Sequence, residues 1–336
     1  MRKTLKRTAV VLTFLLLGFC AALLYAYVTT PAPARLPATV DDDPTVPHIV
    51  VNDRAFHSET FGDPARPTMI VLHGGPGGDY RYLLDLQAFA DRYFVVFYDQ
   101  RGSGLSTRIG ADALTAQDMV DDLDAIAGHY SPDRPVTLIG HSWGAMLASA
   151  YVGQHPDRVA KLVLAEPGAL TDEAMSAFQA HFMSLMDPGL LLTIAPAYIE
   201  ALHVPDPVER ADYVAARQSE MWSNDPDNPY HCPDRALVQP MWRFGAAAAG
   251  SIQSSARTSD GRIDMSLFSR NAARFTKPVL FLAGACDTWL GETLQRQQAA
   301  LFPAATVVVI PEAGHLMFSD NLATSLAAVR AYLDAP

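Results

Sequence analysis

Cysteine is scarce in this chain of 336 residues, with three in all, and so few exclude a disulfide scaffold. Cys20 falls in an apolar segment near the start. Cys232 and Cys286 read as two buried thiols, with a pair between them the alternative in an oxidising compartment. Charge is modest too. Charged residues make up 18% against 49% hydrophobic, the proportions of a globular chain and not of a disordered one. There is no internal repeat and no heptad pattern, which excludes a solenoid or coiled coil.

Acid is missing from residues 1–40, which hold Arg2, Lys3, Lys6, Arg7 and Arg35. The remainder is short of base, with 20 basic against 36 acidic residues and a net charge of −16. Such a surface excludes a phosphate backbone as partner, so no nucleic acid is expected. It suits solubility instead, with a cationic substrate the alternative.

Long apolar runs are absent save one. After the basic start, 21 uncharged residues run from Thr8 to Val28. At ~1.5 Å per residue a helix of that length reaches roughly 31 Å, enough to cross a bilayer. A secretory signal usually has an apolar core of only ~7–15 residues. The expectation is therefore an uncleaved anchor over 1–28 with its basic end in the cytoplasm and the body outside. Secretion after cleavage at Ala32–Ala34 is the alternative. Lipoprotein processing at Cys20 is disfavoured by Phe19, where a small residue is needed. Residues 29–47, "TTPAPARLPATVDDDPTVP", lack periodicity and read as an extended Pro/Ala-rich linker.

From His48 onward strand and helix signals alternate. "HIVV" and "RAFHSETFG" predict an opening hairpin. "TMIVL" (68–72) and "YFVVFY" (93–98) are apolar throughout, as in strands buried on both faces. "TAQDMVDDLDAIAGHY" (115–130) sets Met119, Leu123 and Ile126 on one helical side. "RPVTLI" and "KLVLA" (161–165) predict two further strands. The alternation then stops: residues 168–276 hold helix-like stretches broken by eight prolines. It resumes with "KPVLFLAG" (277–284), a helix around 291–302, the strand "TVVVI" (306–310) and a last helix near 320–333. The pattern predicts an α/β core over 48–167 and 277–336, a mainly parallel sheet with helices on both faces. A helical lid over 168–276 enters after the sixth strand.

Within this order, "GHSWGA" (140–145) stands between a strand and a helix. Gly140 and Gly144 leave out Cβ atoms where the two backbones nearly touch, and the turn matches the nucleophile elbow G-x-S-x-G with Ser142 at its tip. A serine hydroxyl needs a base, and the base works best when a carboxylate orients it. Asp287 in "LAGACDTWLG" and His315 in "IPEAGHLMF" each follow a later strand, in the order Ser, Asp, His that this fold uses. Glu312, the other acid near His315, reads as a surface residue. For an oxyanion the expected donors are the Trp143 N–H, next after the serine, and the Gly75 N–H from "HGGPGG" (73–78), with Gly74 the near alternative. His73 reads as a support of that loop. No metal and no cofactor is expected in this chemistry.

"HGGPGG", "DQRGSGLS" (99–106), "GHSWGA", "AGACDTW" and "EAGHLMF" resemble the proline iminopeptidases of the α/β-hydrolase superfamily over roughly residues 48–336. The resemblance implies the α/β-hydrolase fold and metal-free release of N-terminal residues from small peptides. It also implies that Asp99 and Arg101 are a loop-bracing pair. Family members commonly carry a Trp-Glu pair in the insertion, whose carboxylate binds the substrate's amino group. Here "SEMWSN" puts Ser223 after Trp222, and His141 stands where a glycine usually precedes the serine. Glu166, directly after the sixth strand, and Glu220, two before Trp222, are the remaining candidates for that amine anchor. An esterase or small-amide hydrolase with the same triad is the enzymatic alternative. A non-catalytic binding protein on this fold is the remote one. Small peptides or esters and a membrane are thus the expected partners.

Overall fold

Apolar runs without alternation become the inner strands of an eight-stranded sheet. The computed structural model describes residues 2–110, 114–184, 188–225, 228–233 and 240–335. Its strands are β1 (His48–Val51), β2 (Arg54–Phe61), β3 (Thr68–Leu72), β4 (Phe94–Tyr98), β5 (Val136–His141), β6 (Val159–Ala165), β7 (Val279–Gly284) and β8 (Ala305–Ile310). They lie in the order β1-β2-β4-β3-β5-β6-β7-β8. The β1–β2 hairpin and the β2–β4 pair are antiparallel, and every later pair is parallel.

Each inner strand feeds two cores. Ile70 and Leu72 of β3 enter one with Phe94 and Val96 of β4, while Met69, Val71, Val95 and Phe97 enter the other. Period-two alternation with helices on both faces therefore reads as an unbroken apolar run. The first core is closed by α2 (Ala116–Tyr130), through Met119, Leu123 and Ile126, and by α3 (Trp143–Gln154). Thr115 and Asp118 form a capping box at the start of α2, which fixes where that helix begins. The opposite core takes Leu83, Leu86 and Phe89 with Val329 and Leu333 of the C-terminal helix.

The stretch between β6 and β7 contains α4 (Asp172–Ser184), α5 (Pro188–Ala201), α6 (Pro207–Ser223) and α7 (Ala246–Ser255). Residues 185–187, 226–227 and 234–239 of the expected lid lie outside the described residues. α1 (Arg2–Thr29) contains a stretch, Leu12–Thr29, long and apolar enough to cross a membrane, with a mean hydropathy of 2.0.

Two expectations need correction. The segment read as an extended linker is in part strapped to the body. Thr39 and Val40 are buried, Val40 N–H donates to Leu105 O at 2.9 Å, and Arg243 Nη1 donates to Pro37 O at 3.2 Å. Cys232 and Cys286 are not two thiols but a disulfide, with Cα atoms 4.8 Å apart.

Candidate active site

Ser142 is held in a conformation few residues adopt, φ 54° and ψ −119°, between the end of β5 and the first turn of α3. Its N–H donates to Ala165 O at 2.9 Å, and its carbonyl accepts from Ala145 N at 3.0 Å. A Cβ on Gly140 would lie 2.6 Å from Ala145 N, and one on Gly144 would strike the Leu72 carbonyl. Both positions require glycine, so the sequence writes the turn directly.

His315 follows β8 and is almost fully buried. Its Nδ1 faces two carboxylates, Glu166 Oε2 at 2.9 Å and Asp287 Oδ2 at 3.5 Å. A carboxylate pair on Nδ1 fixes the proton there and turns Nε2 away as the accepting nitrogen. Burial works against the charged imidazole, but Asp287 and Glu166 outweigh it and hold the His315 pKa up at about 9. Burial, then the Asp287 charge, push the Glu166 carboxyl above the usual carboxylate range.

The two acids are held differently. Asp287 Oδ1 accepts from Trp289 N and Leu290 N, each at 2.7 Å, so this residue caps its turn and offers only its other oxygen to the histidine. Glu166, at φ 45°, carries β6 past its last residue. Its N–H donates to Leu282 O at 2.9 Å, and its Oε1 accepts from Gly284 N at 2.7 Å. Glu166 therefore does not point into the space above Ser142, as an amine anchor would. It is fully buried behind His315. Glu220 does line the cavity above Ser142, but its carboxylate pairs with Arg217. Trp222 lines the same cavity.

His141, the departure just before the serine, ties three loops together. Its Nε2 lies 2.7 Å from the His315 carbonyl, which only accepts, so Nε2 carries the proton and Nδ1 accepts from Tyr82 OH at 2.7 Å. The phenol oxygen in turn accepts from Gly74 N at 2.8 Å. Burial, then His315, depress the His141 pKa to about 3, which keeps this wiring uncharged. With the Gly74 amide engaged, Gly75 is the residue of that loop whose amide remains the expected oxyanion donor. Trp143 is fixed by its indole N–H on Gln100 Oε1 at 2.8 Å, and Gln100 N–H donates to His73 Nε2 at 3.0 Å.

Tyr230 was not found from sequence. Its ring stacks on His315 with centroids 4.5 Å apart, and its carbonyl accepts from His315 N at 2.8 Å. Burial, then Asp287 and Glu166, push its phenol well above the ordinary value. The Cys232–Cys286 bridge clips this segment to the Asp287 loop. The one signal in the sequence was spacing: Cys232 sits two residues after Tyr230, and Cys286 next to Asp287.

Asp99 and Arg101 do not pair with each other. Asp99 Oδ2 meets His57 Nδ1 at 2.6 Å and accepts from Leu105 N at 2.7 Å, while Arg101 Nε donates to Asp122 Oδ2 at 2.7 Å. Each braces a separate part of the loop. Glu166, Asp287 and His315 also bring three metal-ligating atoms within 4.8 Å of one another, a donor set of two carboxylates and one imidazole that a divalent cation accepts.

A serine on a strained strand-to-helix turn, at the C-terminal edge of a parallel sheet, defines a hydrolase of the α/β class. The model of the alpha/beta hydrolase fold family matches residues 67–322, and the chain belongs to that family and is an enzyme with hydrolytic activity. It is 25% identical over 300 residues to a "Probable proline iminopeptidase" of Leptolyngbya boryana, across 81% of this chain and 88% of that protein. It is 33% identical over 180 residues to a proline iminopeptidase of Xanthomonas citri, a match covering 52% of this chain and 54% of that protein, about half of each. Among solved structures, a thermophilic esterase from Thermogutta terrifontis shares the fold with a TM-score of 0.60 at 20% identity, over 85% of this chain and 97% of that one.

Proposed function

We propose that this protein is a serine hydrolase of carboxylic esters whose acyl group is large and apolar. Ser142 is the nucleophile and His315 the general base, with Asp287 and Glu166 sharing the Nδ1 proton and the Trp143 and Gly75 amides as oxyanion donors. Ser142 Oγ adds to the carbonyl carbon while its proton passes to His315 Nε2. The C–O bond to the alcohol breaks as that proton is returned to the leaving oxygen. Water, activated by the same nitrogen, then releases the acid. Metal plays no part in this reading.

The observation that carries it is the cavity, about 1650 Å³, which opens above Ser142 and His315 and whose lining joins Ile194, Tyr198, Leu202, Val214 and Trp222 to a polar part that includes Arg210, Arg217 and Gln218. The two acids expected as amine anchors support the choice of ester over peptide. One is buried behind the histidine and the other is paired with an arginine. Aminopeptidase activity is the second reading, favoured by the iminopeptidase relatives.

The reading includes an anchor over 1–28, a body outside the cytoplasmic membrane and a helical lid over 168–276. The apolar stretch Leu12–Thr29 and the disulfide support that placement. Ser142→Ala is expected to lower turnover of a chromogenic ester about 10,000-fold or more with an unchanged circular dichroism spectrum. A folded variant with near-native activity overturns the assignment. Parent enzyme that cleaves unblocked proline anilide much faster than any ester moves it to the second reading. Activity is expected to persist in excess EDTA; its loss and recovery with a divalent cation would assign the Glu166–Asp287–His315 cluster to a metal instead.

A further inference from the structure

We infer that the outer face of α5 is a membrane-docking surface, seated in the leaflet from which α1 emerges, and that ester substrates enter the cavity from that leaflet. The inference rests on the anchor and the ester reading proposed above.

α5 is apolar on both sides. Ile194, Ala197 and Ala201 are buried at helical spacing, and α5 packs against α6. The side turned away from the protein should then be charged, as on ordinary surface helices. Instead Leu192 on that side is 80% exposed, while Tyr198 at 52% and the adjoining Leu202 at 55%, four and eight residues on from Ile194, are exposed where the cavity opens. Glu200 is the one charged residue in the helix, and it accepts a hydrogen bond from Tyr213 OH. Val208, just inside α6, which packs on α5, is exposed as well. An exposed apolar face of this kind marks a contact surface.

The occupant follows from where α1 ends. Tyr27, near the end of the membrane-crossing stretch, stacks on His203 with ring centroids 4.3 Å apart, and its carbonyl lies 3.1 Å from His203 Nε2. His203 is two residues beyond α5. The helix that crosses the bilayer thus leaves it beside the apolar face, so lipid is the apolar phase already present there. Tyr198 and Leu202 are both exposed and part of the cavity lining that reaches Ser142. The inferred path of an acyl chain runs from the leaflet along Tyr198 and Leu202 into the cavity that holds Ser142.

The test uses the full-length protein in a Cys20→Ser background, reconstituted in phosphatidylcholine vesicles and labelled with an environment-sensitive fluorophore at Leu192→Cys. The control label is at Asp157→Cys, which is exposed just before β6. Doxyl-labelled phosphatidylcholine is expected to quench the label at 192 and not at 157, and aqueous iodide the reverse, each by at least fivefold. Equal quenching at the two sites overturns the inference. Protection from iodide at 192 without quenching by doxyl lipid also overturns it, in favour of a second copy or another protein on that face.

In a separate arm, Leu192→Asp with Val208→Asp is expected to slow hydrolysis of a long-chain ester carried in vesicles by tenfold or more. A water-soluble butyrate ester should change less than twofold. Equal effects on both substrates overturn delivery from the leaflet. If the parent cleaves neither ester, the ester reading falls while the quenching arm still decides docking. If alkaline carbonate strips the full chain from membranes, the anchor falls and the docking with it.

Discussion

Glu166 and His141 show how much chemistry a single side chain contributes once its neighbours are fixed. Two carboxylates on one imidazole nitrogen raise the His315 pKa to about 9, and in the proposed mechanism only the neutral imidazole takes the Ser142 proton. The kcat/KM of an ester is therefore expected to climb as pH rises toward about 9. In Glu166→Gln one carboxylate charge is gone, the imidazolium loses support, and the rising limb is expected to move to lower pH by roughly one unit. A pH profile of the two enzymes checks this, since loss of packing alone would scale the curve without moving it. His141→Ala breaks the path from Gly74 through Tyr82 to the His315 carbonyl. Its kcat is expected to fall roughly 10-fold or more with a smaller change in KM, read from steady-state kinetics. The placement of Ser142, Asp287 and His315 at one sheet edge was legible because each follows a strand end. Glu166 was legible in position but not in direction, because the left-handed backbone that turns its carboxylate under His315 is not written in residue type.

Among elements, the inner strands and α2 could be read almost to the residue, since burial on two faces or on one leaves a plain periodicity. The insertion could not. Its helices pack on one another and on the cavity, so no single period describes them, and the segment carrying Tyr230 has no regular structure to announce it. The covalent tie of that segment is the Cys232–Cys286 bridge, which closes a loop of 54 residues. A loop of that length corresponds to about 4 kcal/mol of stabilisation in the chain-entropy model. Cys232→Ser with Cys286→Ser is expected to lower the thermal midpoint, measured by calorimetry. It is also expected to reduce kcat, because Tyr230 and the Asp287 loop lose their shared tie.

For the molecule as a whole, the sequence separated an apolar amino terminus, an α/β body and an inserted stretch, but did not show the strap over 37–40. The strap decides where a soluble body can be cut. A chain lacking residues 1–34 keeps the Pro37 and Val40 contacts and is expected to be released from membranes in active form. A chain lacking residues 1–47 loses them and is expected to be less stable, as thermal denaturation of the two would report. The strap also sets a length. α1 ends at Thr29 and the body takes hold at Pro37, and a fully extended chain over the interval spans at most about 29 Å. An anchored body on so short a leash cannot tumble or drift into the surrounding volume. Under the anchoring and leaflet delivery proposed above, its search for a lipid-borne ester is two-dimensional, and its turnover follows the number of molecules per unit area of bilayer.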